Sequence, residues 1–86
     1  MYRVLLSNQA KKDLEKLKKS NLSQKARALV DTLVEDPYSK PNEKLVGNLR
    51  GFYSKRINIQ HRLVYQVYEE EKVVVIVSMW SHYGDN

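Results

Sequence analysis

The sequence predicts an α+β domain with the element order βααβββ, in which two helices pack on one face of an antiparallel-dominated sheet. Three observations lead to this class. Between Asn8 and Asp36, apolar residues recur at helical spacing in two stretches. Residues 50–65 alternate like a β-hairpin. Residues 73–77 form a continuous β-branched run, which is typical of a central strand that is buried on both faces.

The first strand is predicted at residues 2–6, and Ser7 offers a side-chain cap for the helix that follows. This helix places Ala10, Leu14 and Leu17 on one face. Lysines occupy the other face, where they are either solvated or in contact with a phosphate backbone, and solvation is favoured. They are Lys11, Lys12, Lys16, Lys18 and Lys19.

A second helix is predicted after Ser20-Asn21, which should break the first helix and cap the second. Asp36-Pro37 should end it, because a residue before proline disfavours the helical conformation. Its apolar positions form a wide stripe that should face a core. They are Leu22, Ala26, Leu29, Val30, Leu33 and Val34. Residues 37–46 are predicted as a polar loop, and residues 47–51 turn the chain into the sheet.

The hairpin carries a pair of arginines. A turn centred on Ile59 sets Arg56 opposite Arg62 on one face. Like charges directly opposite each other destabilise a strand pair, and a bound phosphate would remove the penalty. On the pattern alone, two solvated arginines are favoured over a phosphate site.

The last strand is predicted at residues 72–80, after a turn at residues 69–71. If that turn is tight, Val67 pairs with Val73, and Arg62 lies opposite Ser78. The odd-numbered residues should then pack on the helices: Ile57, Leu63, Tyr65, Val67, Val73, Val75 and Val77. The open, even-numbered face should gather Arg56, Arg62, Ser78 and Trp80, with His82 just beyond.

Composition limits the class of function. The 86 residues suit a single domain, 1–86, and the net charge of +5 favours a polyanionic partner. There are no cysteines and only two histidines, so no metal site and no cofactor are expected. No apolar run is long enough to span a bilayer, and no signal peptide precedes the first strand. A cytoplasmic location is therefore expected.

The open face would collect the groups that metal-free RNA cleavage requires. A base such as Glu43 takes the proton of the ribose 2′-hydroxyl, an arginine stabilises the charged phosphorane, and an acid such as His82 protonates the leaving oxygen. Each residue of this face also has a simpler interpretation. Glu43 would be a surface charge, His82 a solvated histidine, and Trp80 a lid on the core. From the pattern alone, nucleic-acid binding without chemistry is favoured.

Three motifs resemble a known family. They are Leu-Arg-Gly-Phe-Tyr-Ser-Lys-Arg-Ile at residues 49–57, His-Arg-Leu-Val-Tyr at residues 61–65, and Ser-His-Tyr at residues 81–83. In order and spacing they resemble the YoeB/Txe toxins of bacterial type II toxin–antitoxin modules, in the RelE superfamily. The likeness covers the length and element order of the whole chain, and its specific motifs lie in the C-terminal half.

The resemblance implies a RelE-like, microbial-ribonuclease-like fold and a ribosome-dependent endoribonuclease that cuts messenger RNA in the ribosomal A site without a metal. By position, Glu43 matches the general base, Arg62 the arginine that stabilises the transition state, and His82 the general acid. The substrate-contacting set is then expected to be Arg56, Tyr83, Lys55, Lys44 and Trp80. The alternative is a non-catalytic protein that binds RNA or the ribosome and blocks translation.

The resemblance also implies partners. A YefM-like antitoxin would cover the toxin with an acidic segment, and operator DNA would be contacted only through the antitoxin complex. The 70S ribosome and messenger RNA would be the targets, no membrane is involved, and homodimer formation is left open. The chain departs from the family at Val46, where the best-known members carry lysine, and in its added residues 84–86. Lys44 is a candidate substitute for that lysine.

Overall fold

The protein folds as a five-stranded sheet with two helices, confirming the predicted α+β class. The computed structural model describes residues 1–80. The elements are β1 (Arg3–Leu6), α1 (Asn8–Lys19), α2 (Ser23–Glu35), β2 (Glu43–Lys44), β3 (Phe52–Arg56), β4 (Arg62–Tyr68) and β5 (Val73–Ser78), with a 3-10 turn at Gly47–Leu49. The strand order is β1-β5-β4-β3-β2, with β1 parallel to β5 and the other pairs antiparallel. The β-branched β5 is therefore interior, as its sequence predicts.

The first helix begins as predicted, at the Ser7 cap. The Ser7 hydroxyl accepts a hydrogen bond from the Ala10 N–H at 3.0 Å and donates to the Val77 carbonyl at 2.8 Å. Because the same side chain also bonds to a residue of β5, it joins the start of α1 to the centre of the sheet. An N-cap of this kind typically contributes about 1 kcal/mol.

The joint between the helices differs from the prediction. Asn21 adopts a left-handed conformation with φ of 59°, and the Leu22 N–H donates to the Leu17 carbonyl at 2.8 Å. This is the geometry of a helix C-terminus, in which asparagine tolerates positive φ. Ser20-Asn21 therefore ends α1 and does not cap α2, whose N-cap is Leu22 without a side-chain hydrogen bond. The end of α2 at Asp36 agrees with the prediction.

The core lies between the helices and one face of the sheet. Its fully buried side chains include Leu17 of α1 and Leu33 of α2. On the sheet, Leu63 and Tyr65 of β4 and Ile76 of β5 face them. Fully burying an apolar side chain of this size contributes about 1.5–3 kcal/mol, so this layer holds the helices on the sheet.

The predicted register of β5 is wrong by one residue. Tyr68, not Val67, pairs with Val73, because Lys72 belongs to the turn, where it has φ of 56°. The even-numbered Val74 and Ile76 consequently face the helices, in place of the odd-numbered valines of β5. A bulge between Val64 and Tyr65 then sets Ser78 opposite Val64 rather than opposite Arg62.

Candidate active site

Three strands at one end of the sheet bring Glu43 and Arg62 together. Within the segment predicted as loop, Glu43 and Lys44 form the short edge strand β2, which places Glu43 opposite Ser54 of β3. On the other side of β3, Arg56 lies opposite Arg62, as the hairpin pattern predicts. The hairpin turn is held by the Asn58 side chain, whose oxygen accepts the N–H of His61 at 2.7 Å.

Arg62 connects these strands through its guanidinium. Its Nη1 forms an ion pair with Glu43 Oε1 and lies 3.3 Å from the hydroxyl oxygen of the buried Ser54, to which it donates. The Arg62 side chain is 14% exposed, whereas that of Glu43 is 61% exposed. The carboxylate is therefore accessible to a substrate, while the arginine is held in a fixed position beside it.

The ion pair explains how the sheet tolerates two facing arginines. The Glu43 carboxylate supplies the negative charge that a bare Arg56–Arg62 pair would lack. Arg56 is exposed at the end of β3. Next to it, a depression of about 160 Å³ is lined by Pro41, Asn42, Glu43, Ser54, Lys55 and Arg56. This surface has a carboxylate, two guanidinium groups and an opening beside them.

Lys55, predicted among the substrate-contacting residues, borders this depression, but its ammonium is bound on the helix side of the sheet. Its residue surface is 2% exposed, and its ammonium donates to Thr32 Oγ1 and Ser39 Oγ, each at 3.0 Å. Successive residues of a strand point to opposite faces, so Lys55 lies on the helix side while Ser54 and Arg56 lie on the open side. Burial lowers the pKa of Lys55, and the charge of Asp36 partly offsets this.

Lys44 and Trp80 also lie away from the ion pair. Lys44 is exposed and pairs with Tyr53, so strand alternation directs it to the side of the sheet opposite Glu43. The Trp80 ring stacks on His61 with centroids 4.1 Å apart and packs against the core. Lys16 of α1 lies 5.6 Å from the same ring. These contacts match the simpler interpretation of Trp80 as a lid on the core.

His82 and Tyr83, predicted as the acid and a substrate contact, lie outside the described residues. The described chain ends at Trp80, and the residue before it, Met79, is held by a hydrogen bond from its backbone N–H. The buried Asp13 carboxylate of α1 accepts the Met79 N–H at 2.9 Å. Two buried polar residues were not predicted from the sequence: Ser54, which contacts Arg62, and Asp13, which contacts Met79. The alternation of β3 could have identified Ser54, since it shares the face of Arg56.

Two further features of the described chain bear on its class. Within residues 1–80, no three His, Asp or Glu side chains come together as a group that could hold a metal ion. Neither of the helices found in that range is long and apolar enough to cross a membrane.

A family comparison supplies the class of protein. The family described as "ParE toxin of type II toxin-antitoxin system, parDE" matches residues 4–85. The chain belongs to this family of type II toxins. Among curated proteins, Toxin YoeB of Synechocystis sp. is 38% identical over 74 residues, which cover 83% of this chain and 76% of that protein.

Solved structures agree with the fold and the type of toxin. The YoeB-YefM toxin–antitoxin heterotetramer of Staphylococcus aureus contains a chain with a TM-score of 0.79 and 31% identity, with 96% of this chain and 99% of that chain covered. The YoeB/ParE toxin of Agrobacterium tumefaciens has a TM-score of 0.86 at 22% identity, with 94% and 99% covered, and supports the fold. The predicted resemblance to YoeB toxins of the RelE superfamily is thereby confirmed.

Proposed function

We propose that this toxin is a ribosome-dependent endoribonuclease that cuts messenger RNA in the A site by general acid–base chemistry without a resident metal. The observation that carries the proposal is the direct contact of Glu43 with Arg62 on the open sheet face. A carboxylate that can accept a proton and a guanidinium that cannot lose one are the first two groups that such a reaction requires.

The ion pair describes the free protein, and the substrate phosphate is the natural competitor for it. Since Glu43 is largely exposed, its pair with Arg62 contributes about 0–1 kcal/mol. A phosphate can therefore displace the carboxylate from Arg62 at small cost and bind the guanidinium through charge-assisted hydrogen bonds. The released Glu43 carboxylate then lies beside the bound phosphate, where it can accept the proton of the 2′-hydroxyl.

The proposed reaction gives each of these groups one step. As Glu43 takes the proton, the 2′-oxygen attacks phosphorus and the bond to the 5′-oxygen breaks. Arg62 stabilises the negative charge on the phosphoryl oxygens, and Arg56 holds a neighbouring phosphate. His82, assigned by resemblance, protonates the departing 5′-oxygen. The products are a 2′,3′-cyclic phosphate and a 5′-hydroxyl, with one proton accepted and one donated.

The partner proposed for this toxin is a YefM-like antitoxin. The complex from S. aureus supports it, because a related chain binds YefM there. The net charge of +5 also suits a partner segment that is acidic. Covering Arg56 and Arg62 with carboxylates would block the phosphate site. Since the proposed targets are the ribosome and its messenger RNA, the proposed location is the cytoplasm.

Single substitutions in the proposed machinery test the reaction. Glu43→Ala, Arg62→Ala and His82→Ala should each abolish growth arrest on induced expression and remove cuts within codons, as mapped by primer extension on translated message. The loss of a single acid or base typically costs about 100- to 10,000-fold in rate. Circular dichroism and thermal melting should show that each variant remains folded.

Matched substitutions elsewhere act as controls. Glu71→Ala and Arg27→Ala each remove an exposed charge outside the ion-pair surface, one in the turn between β4 and β5 and one on α2, and should keep full toxicity. Undiminished cutting by the Arg62 and His82 variants would overturn the catalytic assignment. Growth arrest by the wild type with intact message would favour the non-catalytic inhibitor of translation.

A further inference from the structure

The buried Lys55 ammonium joins three parts of the fold behind the site. It extends from β3 and donates to Thr32 on α2 and to Ser39 in the segment that leads to β2. A buried cation requires polar partners, and these two hydroxyl oxygens supply them. The strand neighbours of Lys55, Ser54 and Arg56, both lie on the open face. The side chain is thus connected through its own backbone to the floor of the site.

Lys55 binds the segment that precedes Glu43 in the chain, residues 37–42. Ser39 precedes Glu43 by four residues, and the segment is also held at its start, where the Tyr65 hydroxyl donates to the Pro37 carbonyl at 2.6 Å. The strand that it leads into has only two residues. Beyond those, the Leu45 N–H donates to the Phe52 carbonyl at 2.9 Å. So short an edge strand contributes little to its own local stability.

We propose that Lys55 is a positioning residue. By binding Ser39, it holds the segment that leads to β2 in the position where the Glu43 carboxylate contacts Arg62. This inference rests on the proposed function, because the group being placed is the base of that reaction. Lys55 does not touch the substrate. It acts on the opposite side of the sheet, through the segment between Ser39 and β2.

Two substitutions separate this role from a general contribution to stability. Ser39→Ala and Thr32→Val each remove one hydroxyl partner of the same ammonium, one on the segment and one on α2. Since a misplacement of about 1 Å can cost about 100-fold in rate, Ser39→Ala should lower the single-turnover cleavage rate by about 10- to 100-fold. It should leave the affinity for the ribosome unchanged. Thr32→Val should keep the wild-type cleavage rate, even if it lowers the melting temperature.

A measurement independent of cleavage follows the segment itself. Hydrogen exchange of the Leu45 amide reports the bond between the residue that follows β2 and the start of β3. This exchange should be faster in Ser39→Ala and in Lys55→Met, and Lys55→Arg should restore it toward the wild-type rate. Thr32→Val should leave it unchanged. Ser39→Ala keeps Lys55 in place, so the test does not depend on how well Lys55→Met folds.

The outcomes distinguish this inference from the proposed function. Equal cleavage rates in Ser39→Ala and Thr32→Val, or unchanged exchange at Leu45 in Ser39→Ala, would overturn the positioning role. If the wild type does not cut message, the proposed function is wrong, and with it the catalytic purpose of the tether. The exchange rate at Leu45 then still decides whether Lys55 holds the segment.

Discussion

Replacing the buried Asp13 with leucine should destabilise the protein more than any other change to a charged side chain of α1. Asp13 is 2% exposed; its carboxylate accepts from the Gln9 side chain and from the Met79 N–H, each at 2.9 Å. Leucine keeps the branching of the side chain, with two methyl groups in place of the two oxygens, but leaves the N–H of Met79, itself 1% exposed, without that partner. An unsatisfied buried donor costs about 1–3 kcal/mol.

The expected shift is large enough to measure directly. A loss of about 2 kcal/mol lowers the melting temperature of a domain of this size by roughly 8–16 °C. Asp13→Asn should lose less, because its amide oxygen can still accept the Met79 N–H. Urea unfolding should be followed by circular dichroism and by the fluorescence of Trp80, the single tryptophan and the neighbour of Met79. Coincident transitions would establish two-state unfolding.

A matched control lies on the second helix. Asp31 of α2 is exposed, so Asp31→Leu should stay within about 0.5 kcal/mol of the wild type. The reasoning is refuted if Asp13→Leu is as stable as the wild type, or if Asp31→Leu loses as much as Asp13→Leu. Either result would mean that the bond to Met79 contributes little.

Two other changes test the core and the turn between β4 and β5. Leu33→Ala should cost about 2–5 kcal/mol in urea unfolding, because Leu33 is fully buried, whereas Leu5→Ala, at a 48% exposed residue, should cost far less. The pKa of Glu69 is lowered from its ordinary 4.5 to about 2. The hydrogen bond from Lys72 has the largest effect, and the hydroxyls of two tyrosines add to it. Its stabilising effect is therefore present above pH 4.5 and lost as the pH falls toward 2. The difference in melting temperature between the wild type and Glu69→Gln should disappear over the same window; a constant difference would contradict the assignment.

Features determined by local chemistry could be predicted from the sequence. Ser7 caps α1 because a hydroxyl at that position satisfies a free N–H. The two-residue period of the hairpin correctly paired Arg56 with Arg62. The β-branched run correctly placed β5 inside the sheet. In each case, neighbours along the chain carry the information.

Features that depend on distant contacts could not be predicted in the same way. The strand β2 exists only because Glu43 and Lys44 pair with β3, and a two-residue strand has no periodicity of its own. The register of β5 depends on a left-handed Lys72, a conformation that lysine rarely adopts. The contact of Glu43 with Arg62 depends on β2, so the sequence predicts these residues as candidates but does not predict their contact.

The same limit explains the position of Lys55. This residue belongs to a basic motif and is predicted among the substrate-contacting residues. Strand alternation nevertheless directs it toward the helices, where Thr32 and Ser39 bind it. The helical pattern of α2 does not reveal that a hydroxyl will lie above β3.

The most direct test of the proposed reaction uses a message with a single 2′-deoxy nucleotide at the mapped cut. The toxin is added to ribosomes stalled with that codon in the A site, and the products are compared with those of the all-ribose message. If Glu43 activates the 2′-hydroxyl and Arg62 stabilises the resulting phosphorane, the all-ribose message yields a 2′,3′-cyclic phosphate and a 5′-hydroxyl. The deoxy message should then remain intact at that position. Cutting of the deoxy message at a comparable rate would contradict the account.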